Sequence, residues 1–216
     1  MTEMKNMQIK DGLLSKVANY YTAKVAKYGD TPMGVDWNNE EGQMLRFKQL
    51  LKVVRNTGKF SIHDLGCGYG AMFGYMGRRF QDFTYTGCDL SPEMVARANE
   101  RYGDNPKASF VVGAEPPGIA DYAVASGIFN VRLNHSVGEW IGYLESTLDI
   151  LNHTSKYGFA FNCLTSYSDK EKMRDDLFYA DPCKLFDLCK HQYSRHVALL
   201  HDYGLYEFTI IVRKGD

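Results

Sequence analysis

The fold of this 216-residue chain is decided by the stretch His63-Asp64-Leu65-Gly66-Cys67-Gly68-Tyr69-Gly70. A short apolar run, residues 60–65, leads into its glycines, and an apolar segment with helical spacing follows over residues 72–80. This order predicts a strand that turns sharply into a helix. Glycine lets the backbone turn and approach a ligand without side-chain obstruction, and the first turn of the helix offers unpaired N–H groups to an electronegative group.

Outward from that turn, strand and helix patterns alternate along the chain. The predicted helices cover residues 11–28, 39–55, 72–80, 91–101 and 137–151, and the predicted strands cover 60–65, 83–88, 109–112, 122–125, 158–164, 196–201 and 206–212. The alternation predicts an α/β fold with a doubly wound, Rossmann-like, mostly parallel seven-stranded sheet. Its last two strands are joined by a tight turn and must form an antiparallel hairpin. A ligand is expected at the carboxyl ends of the strands.

The length suits a single domain over residues 1–216. Within it, we expect cap helices in residues 1–55 and a lid insertion over the sheet in residues 166–190, where the alternation is interrupted. The net charge of −1 gives no global positive field, so nucleic acid is a weak candidate partner. Five cysteines without a CxxC pair indicate reduced thiols in a cytoplasmic protein. No apolar stretch has the length of a membrane span, and no His/Cys/Asp cluster has metal-ligand spacing.

The second predicted strand ends in Asp89, about twenty residues after the glycine turn. An acidic side chain at this position can accept hydrogen bonds from the two hydroxyls of a ribose. The spacing Gly66-x-Gly68-x-x-Ala71 also satisfies the dinucleotide fingerprint, so NAD is a rival ligand. Asp64 favours the other choice, because a carboxylate before the turn suits the ammonium of an amino-acid-bearing ligand and would repel a pyrophosphate.

These segments resemble the motifs of the class I S-adenosylmethionine-dependent methyltransferases. Residues 63–70 resemble the first motif, residues 87–94 the ribose-binding segment, residues 112–115 the segment beside the adenine, and residues 121–126 the fourth strand. The resemblance covers residues 55–216 and implies S-adenosyl-L-methionine as the cofactor.

The resemblance also implies which residues bind the cofactor: Asp64, Gly66, Cys67, Gly68, Asp89, Leu90, Ala114, Glu115 and Ser126. Outside the resembling segment, Tyr21 on the first predicted helix is a candidate for contact with the methionine end of the cofactor, with packing of the helix face as the alternative. One departure concerns the adenine. Many family members have Asp where Ala114 stands, so we expect Glu115 or a backbone carbonyl to bond the adenine amino group. The sulfonium methyl is already electrophilic, and the enzyme mainly has to hold donor and acceptor in line.

The acceptor side is less clearly written in the sequence. An oxygen acceptor usually needs a base, and His135, His201 and Asp202 are the candidates because they follow the fourth predicted strand or lie at the end of the sixth. Candidate substrate contacts are Trp37, Arg132 and Tyr167, whereas Arg46 is expected on an exposed, solvated helix face.

We therefore predict a methyltransferase that acts on a small polar metabolite, at oxygen, with a sugar as one candidate. An Asn/Asp-Pro-Pro-Tyr/Phe run after the fourth strand would mark enzymes acting on amino groups of bases, and residues 126–132 lack it. The alternatives are a nucleic-acid or protein methyltransferase and a cofactor-binding subunit without catalysis. The oligomeric state stays open.

Overall fold

A computed structural model of the chain describes residues 2–37, 39–55 and 58–215, with side chains from residue 12 onward. The described part contains one eight-stranded sheet. Its strands are β1 (Phe60–Leu65), β2 (Phe83–Asp89), β3 (Ala108–Val112), β4 (Ala120–Ala125), β5 (Ser155–Thr165), β6 (Tyr179–Ala180), β7 (His196–Leu200) and β8 (Glu207–Arg213). The helices are α1 (Thr2–Tyr28), α2 (Glu40–Leu50), α3 (Ala71–Gly77), α4 (Pro92–Tyr102), α5 (Val137–His153) and α6 (Pro182–Gln192).

The sheet has the strand order β3-β2-β1-β4-β5-β8-β7, and the short β6 pairs with β5. Strands β1 to β6 pair in parallel, whereas β8 runs antiparallel to both β5 and β7. The predicted doubly wound, Rossmann-like sheet with its carboxyl-terminal hairpin is thus confirmed, and β6 is an additional strand. The strand order reverses at β1, which lies between β2 and β4, so the carboxyl ends of β1 and β4 frame the ligand crevice expected for this topology.

Helices cover both faces of the sheet, and the alternation of side chains along the strands explains the two cores. In β4, Ala123 and Ala125 belong to the core under α1, α5 and α6, whereas Tyr122 and Val124 belong to the core under α2, α3 and α4. Central parallel strands buried on both sides need apolar residues at every position. This requirement accounts for the unbroken apolar run at the end of β4.

The predicted lid insertion, residues 166–190, divides into two parts. Residues 166–178 form a loop with one short 3₁₀ turn at Lys170–Lys172. The second part is not a lid, because β6 extends the sheet beside β5 and α6 packs on β7 and β8. The Asp181 carboxylate caps α6 by accepting N–H bonds at 2.9 and 3.2 Å, and Pro182 occupies the first turn. Residues 182–192 are therefore a capped helix of the main fold.

Neither a candidate membrane span nor a candidate metal site occurs among the described residues. None of the helices found there combines the length and the apolar character that a bilayer crossing requires. The same residues contain no group of three or more His, Cys, Asp or Glu side chains placed to hold a metal ion.

Candidate functional site

The glycine turn after β1 folds back against the end of β2. The N–H groups of Gly66 and Cys67 both donate to the carbonyl oxygen of Cys88, at 2.7 and 3.1 Å. Gly66 has a φ of 76°, and a Cβ atom there would lie 2.1 Å from Cγ2 of Ile128. Only glycine meets both demands, the left-handed backbone and the close approach of the loop after β4.

Asp89 is held at the end of β2 by the backbone around it. Gly68 N–H donates to its Oδ2 and Ser91 N–H to its Oδ1, both at 2.9 Å. Burial raises the pKa of this carboxyl, and the backbone N–H bonds lower it. Each carboxylate oxygen keeps a free lone pair, so the group can accept two further hydrogen bonds from a ligand.

Asp64 lies deep beneath the turn, with 2% of its surface exposed. Its Oδ2 accepts a 2.6 Å hydrogen bond from the Tyr85 hydroxyl, whereas its Oδ1 is buried without a partner among the described residues. Burial first, and the charge of Asp89 second, raise the pKa of Asp64 to about 7. A buried carboxylate oxygen without a partner is costly and points to a ligand donor, such as an ammonium, that completes it.

A first cavity of about 1020 Å³ opens over these groups. The predicted cofactor residues that line it are Tyr21, Asp64, Gly66, Cys67, Gly68, Asp89, Leu90, Ala114 and Ser126. The hydroxyl of Ser126 is a further buried group without a partner among the described residues. Glu115 is exposed and does not line this cavity, so of the two expected adenine contacts its side chain is the less favoured.

Several lining residues were not predicted. They come from the two helices that cover the crevice, α1 and α5, and include Leu14, Val17, Ala18, Tyr143, Thr147 and Ile150. Leu14, Ala18 and Tyr21 follow helical spacing, which was visible in the sequence but indicates core packing equally well.

A second cavity, of about 1350 Å³, adjoins the first. Both cavities are lined by Tyr21, Val35, Trp37 and Gly127, so these residues form the boundary between them. The second cavity is more polar, and its other lining residues include Asp36, Arg46, Asn130, Ser168, Lys172, Arg174, Tyr179, Tyr206 and Glu207. It lies at the carboxyl end of β5, beside the loop of residues 166–178.

Trp37 lies at this boundary and contacts both Gly127 and Arg46. A Cβ atom at Gly127, where φ is 76°, would lie 2.2 Å from the Trp37 ring, so the ring rests directly on this backbone. The Arg46 guanidinium lies 3.8 Å from the ring centroid. The placement agrees with the prediction that Trp37 lines a ligand pocket, since it borders both cavities.

A buried polar network holds Arg46 and Gly127 in place beside Trp37. Arg46 Nε and Nη2 donate to the two carboxylate oxygens of Glu207, each at 2.8 Å. Asn162 Nδ2 donates to Glu207 Oε2 at 2.6 Å, and Asn162 Oδ1 accepts from Gly127 N–H at 2.8 Å. Side-chain exposure is 11% for Arg46 and 1% for Glu207. The expectation of a solvated Arg46 was wrong, because its acidic partner lies 161 residues away and was not visible locally.

The other predicted catalytic and substrate residues line neither cavity. His135 is buried, with Nε2 lacking a partner among the described residues, and Arg132 donates to the carbonyl oxygens of His135 and Asp175. His201 is exposed, 5.9 Å between ring centroids from Tyr167, which is itself 69% exposed. Asp202, the third base candidate, is exposed too. These positions lend no support to the predicted roles.

Comparisons with known proteins agree with this geometry. A family model described as "Methyltransferase domain" matches residues 62–142, which include the glycine turn and Asp89. The chain is 59% identical over 165 residues to Rv1506c of Mycobacterium tuberculosis strain H37Rv, a protein described as a methyltransferase. The match covers 76% of this chain and 99% of Rv1506c. The chain belongs to the class I S-adenosylmethionine-dependent methyltransferases. The resemblance of its motifs is therefore confirmed.

Solved structures share the fold of this methyltransferase. DhpI in complex with S-adenosylhomocysteine is 15% identical, with a TM-score of 0.64, and the match covers 95% of this chain and 98% of DhpI. The magnesium protoporphyrin IX methyltransferase ChlM of Synechocystis PCC 6803, with S-adenosylhomocysteine bound, is 12% identical with a TM-score of 0.61, covering 81% of this chain and 84% of ChlM. S-adenosyl-L-methionine is the cofactor of this enzyme, as predicted. When bound, it supplies an electrophilic methyl group, and the first cavity fits it because Asp64 and Ser126 there lack partners among the described residues.

Proposed function

We propose that this enzyme transfers the methyl group to an oxygen of a small polar metabolite, such as a sugar, bound in the second cavity. One observation carries the proposal: a polar cavity adjoins the cofactor cavity directly across Tyr21 and Trp37. Aromatic and hydrogen-bonding side chains together suit a compact polar molecule. Tyr206 and Tyr179 add two further aromatic rings with hydroxyl groups to this lining.

In this proposal, the cofactor lies along the carboxyl edge of the sheet. Asp64 accepts the ammonium of the methionine part, and Asp89 accepts the two ribose hydroxyls. The backbones of Gly66, Cys67 and Gly68 pass beside the ligand, with Leu90 and Ala114 against the adenine. Because the Glu115 side chain lies off the cavity, we assign the adenine amino contact to a backbone carbonyl.

Tyr21 and Trp37 then stand where donor and acceptor meet. Burial raises the pKa of Tyr21 well above its ordinary value, so the phenol keeps its proton and can donate a hydrogen bond. The Trp37 ring, held by Arg46 and Gly127, limits how the acceptor can approach. The main contribution of the chain is to align the two molecules and to exclude water. As the methyl–sulfur bond breaks and the methyl–oxygen bond forms, S-adenosylhomocysteine leaves and the acceptor hydroxyl gives up its proton. His135 and His201 line neither cavity, so in this proposal the proton passes to solvent through the more polar second cavity.

The experiment is a transfer assay with S-adenosylmethionine that carries a ¹³C-labelled methyl group. The full-length enzyme is incubated separately with a small-molecule cell extract and with the nucleic acid and protein of the same cells. We expect the label as a methoxy carbon in a small molecule, and no label with the Asp89→Ala variant. Label in nucleic acid or protein would contradict the proposal. Binding of the cofactor without any transfer would indicate a subunit without catalysis.

We also propose a cytoplasmic location. The five cysteines are all free, four of them buried and Cys183 exposed. Free thiols persist in reducing compartments. Fractionation of cells that express the tagged protein tests this, and recovery outside the cytoplasm would contradict it.

A further inference from the structure

We propose that the methyl acceptor carries an anionic group, a carboxylate or a phosphoryl group, which Lys172, Arg174 and Asn130 bind in the second cavity. This inference rests on the proposed function, because it names a property of the molecule that the second cavity receives.

Five charged side chains line the second cavity. They are the cations Arg46, Lys172 and Arg174 and the acids Asp36 and Glu207. The bidentate pair with Glu207 neutralises Arg46 inside the protein. Asp36 is paired with Lys24, which does not line the cavity; Lys24 Nζ lies 2.5 Å from Asp36 Oδ1. Asp36 Oδ2 also accepts a 2.9 Å hydrogen bond from the Tyr20 hydroxyl. Lys172 and Arg174 remain, and their acidic partners, Asp169 and Asp176, are far more exposed than Glu207.

Lys172 and Arg174 do have acidic neighbours, but of a kind that a ligand can replace. Lys172 Nζ lies 3.3 Å from Asp169 Oδ2 and donates a hydrogen bond of 2.9 Å to the Tyr206 hydroxyl oxygen. Both side chains of this pair are more than half exposed, and Asp169 does not line the cavity. Water and salt screen such pairs, so their loss costs little when a ligand anion takes their place.

Arg174 retains donors for a ligand even with its acidic partner in place. Its Nε and Nη2 donate to the two oxygens of Asp176, at 3.0 and 2.6 Å. Its Nη1 lies 4.0 Å from Asp36 Oδ2, which is beyond hydrogen-bond distance. A guanidinium has five N–H donors, so the Nη1 side remains available for a carboxylate or phosphoryl oxygen.

Asn130 is an independent observation that points to the same ligand. It follows β4, lines the cavity and is only 5% exposed. Its Oδ1 accepts the Leu164 N–H at 3.1 Å, which fixes the orientation of the amide. Its NH₂ group donates to none of the described residues. A buried amide held in this way presents donors to the cavity, which complement the oxygens of an anionic group.

The test uses the smallest probes of each chemistry, inorganic phosphate and acetate, added to the full-length protein with S-adenosylhomocysteine bound. The readout is the NMR shift of the Asn130 side-chain NH₂ and of the Arg174 guanidinium, at constant ionic strength in sodium chloride. We expect saturable shifts with one or both probes. A response to phosphate alone indicates a phosphoryl group, and a response to acetate alone indicates a carboxylate.

The variants make the result specific to this site. Lys172→Gln and Arg174→Gln should each weaken binding of the phosphate or acetate probe about fivefold to tenfold, because each removes one charge-assisted contact. Lys184→Gln is the matched control, since Lys184 is 86% exposed and lies outside the cavity lining. It should leave the affinity unchanged within twofold.

Two outcomes would overturn the inference: no saturable shift with either probe, or equal probe affinity in the Lys172→Gln/Arg174→Gln double variant. Calorimetric binding of S-adenosylhomocysteine is measured on every variant and should be unchanged. Failure here is distinct from failure of the proposed function, which would appear as label outside a methoxy carbon in the transfer assay. A methylated product without an anionic group would contradict this inference, whereas the proposed transfer to oxygen would still stand.

Discussion

Replacing Asp64 by Asn should stabilise the protein without cofactor above neutral pH and weaken cofactor binding. Burial raises the pKa of Asp64 from 3.8 to about 7 in the folded chain. Between these values the folded state holds a proton that the unfolded chain has lost. The stability contributed by this group is therefore complete below pH 4 and declines as the pH rises towards 7. The full difference is about 4 kcal/mol, since one pKa unit corresponds to about 1.4 kcal/mol.

Asn should remove this cost, because it keeps an oxygen for the Tyr85 hydroxyl and never ionises. Urea unfolding of the protein without cofactor should show that Asp64→Asn is more stable than the wild type by up to about 4 kcal/mol at pH 8, and equal to it at pH 4. Asp104→Asn, at an exposed carboxyl, is the control and should change neither value. Equal stability of Asp64→Asn and the wild type at pH 8 would refute the reasoning about burial.

The same carboxyl should release a proton when the cofactor binds. At pH 6, one unit below the pKa, only about a tenth of Asp64 is ionised, and pairing with an ammonium requires the ionised form. Calorimetry with S-adenosylhomocysteine in two buffers of different ionisation heat should therefore show close to one proton released at pH 6. Asp64→Asn should release none and bind at least tenfold more weakly. Binding of the wild type without proton release would contradict the assignment of the ammonium to Asp64.

Two further predictions concern the boundary between the cavities. Gly127→Ala should lower the free energy of unfolding in urea by about 2–4 kcal/mol, because it places an alanine in a left-handed conformation and a Cβ atom against Trp37. The control Gly138→Ala has nothing within 4 Å of its added Cβ and should be neutral or stabilising. A Gly127 variant as stable as this control would show that the ring does not rest on this backbone. Glu207→Ala should cost about 3–5 kcal/mol by leaving Arg46 buried without its partner, and the pair Arg46→Met with Glu207→Leu should restore most of that loss in the same measurement; a small loss for Glu207→Ala alone would contradict the buried ion pair.

The cofactor half of the site was predictable because its signals are local. The strand, the glycine turn and the helix are consecutive, and Asp89 ends the very next strand, so spacing along the chain translates directly into spacing in the crevice. Asp64, Gly66, Gly68, Leu90 and Ser126 all fall in segments of this kind and line the first cavity. The Glu115 side chain is exposed and does not line the first cavity, so of the two expected adenine contacts this position favours the backbone carbonyl.

The second cavity was not predictable in the same way, because distant segments build it. Arg46 meets Glu207 across 161 residues, and Asn162 joins them from the interior of β5. The sequence around Arg46 is that of an ordinary charged helix, so nothing local indicates its burial.

The central claim is that the glycine turn and Asp89 bind S-adenosylmethionine, and calorimetric titration tests it most directly. Wild-type protein is titrated with S-adenosylhomocysteine and, separately, with NAD, and Asp89→Ala is titrated with S-adenosylhomocysteine. We predict one site per chain for S-adenosylhomocysteine, no binding of NAD, and at least a tenfold loss of affinity in Asp89→Ala, because two hydrogen bonds to a charged acceptor are lost. Binding of NAD alone, or unchanged affinity in Asp89→Ala, would contradict the claim.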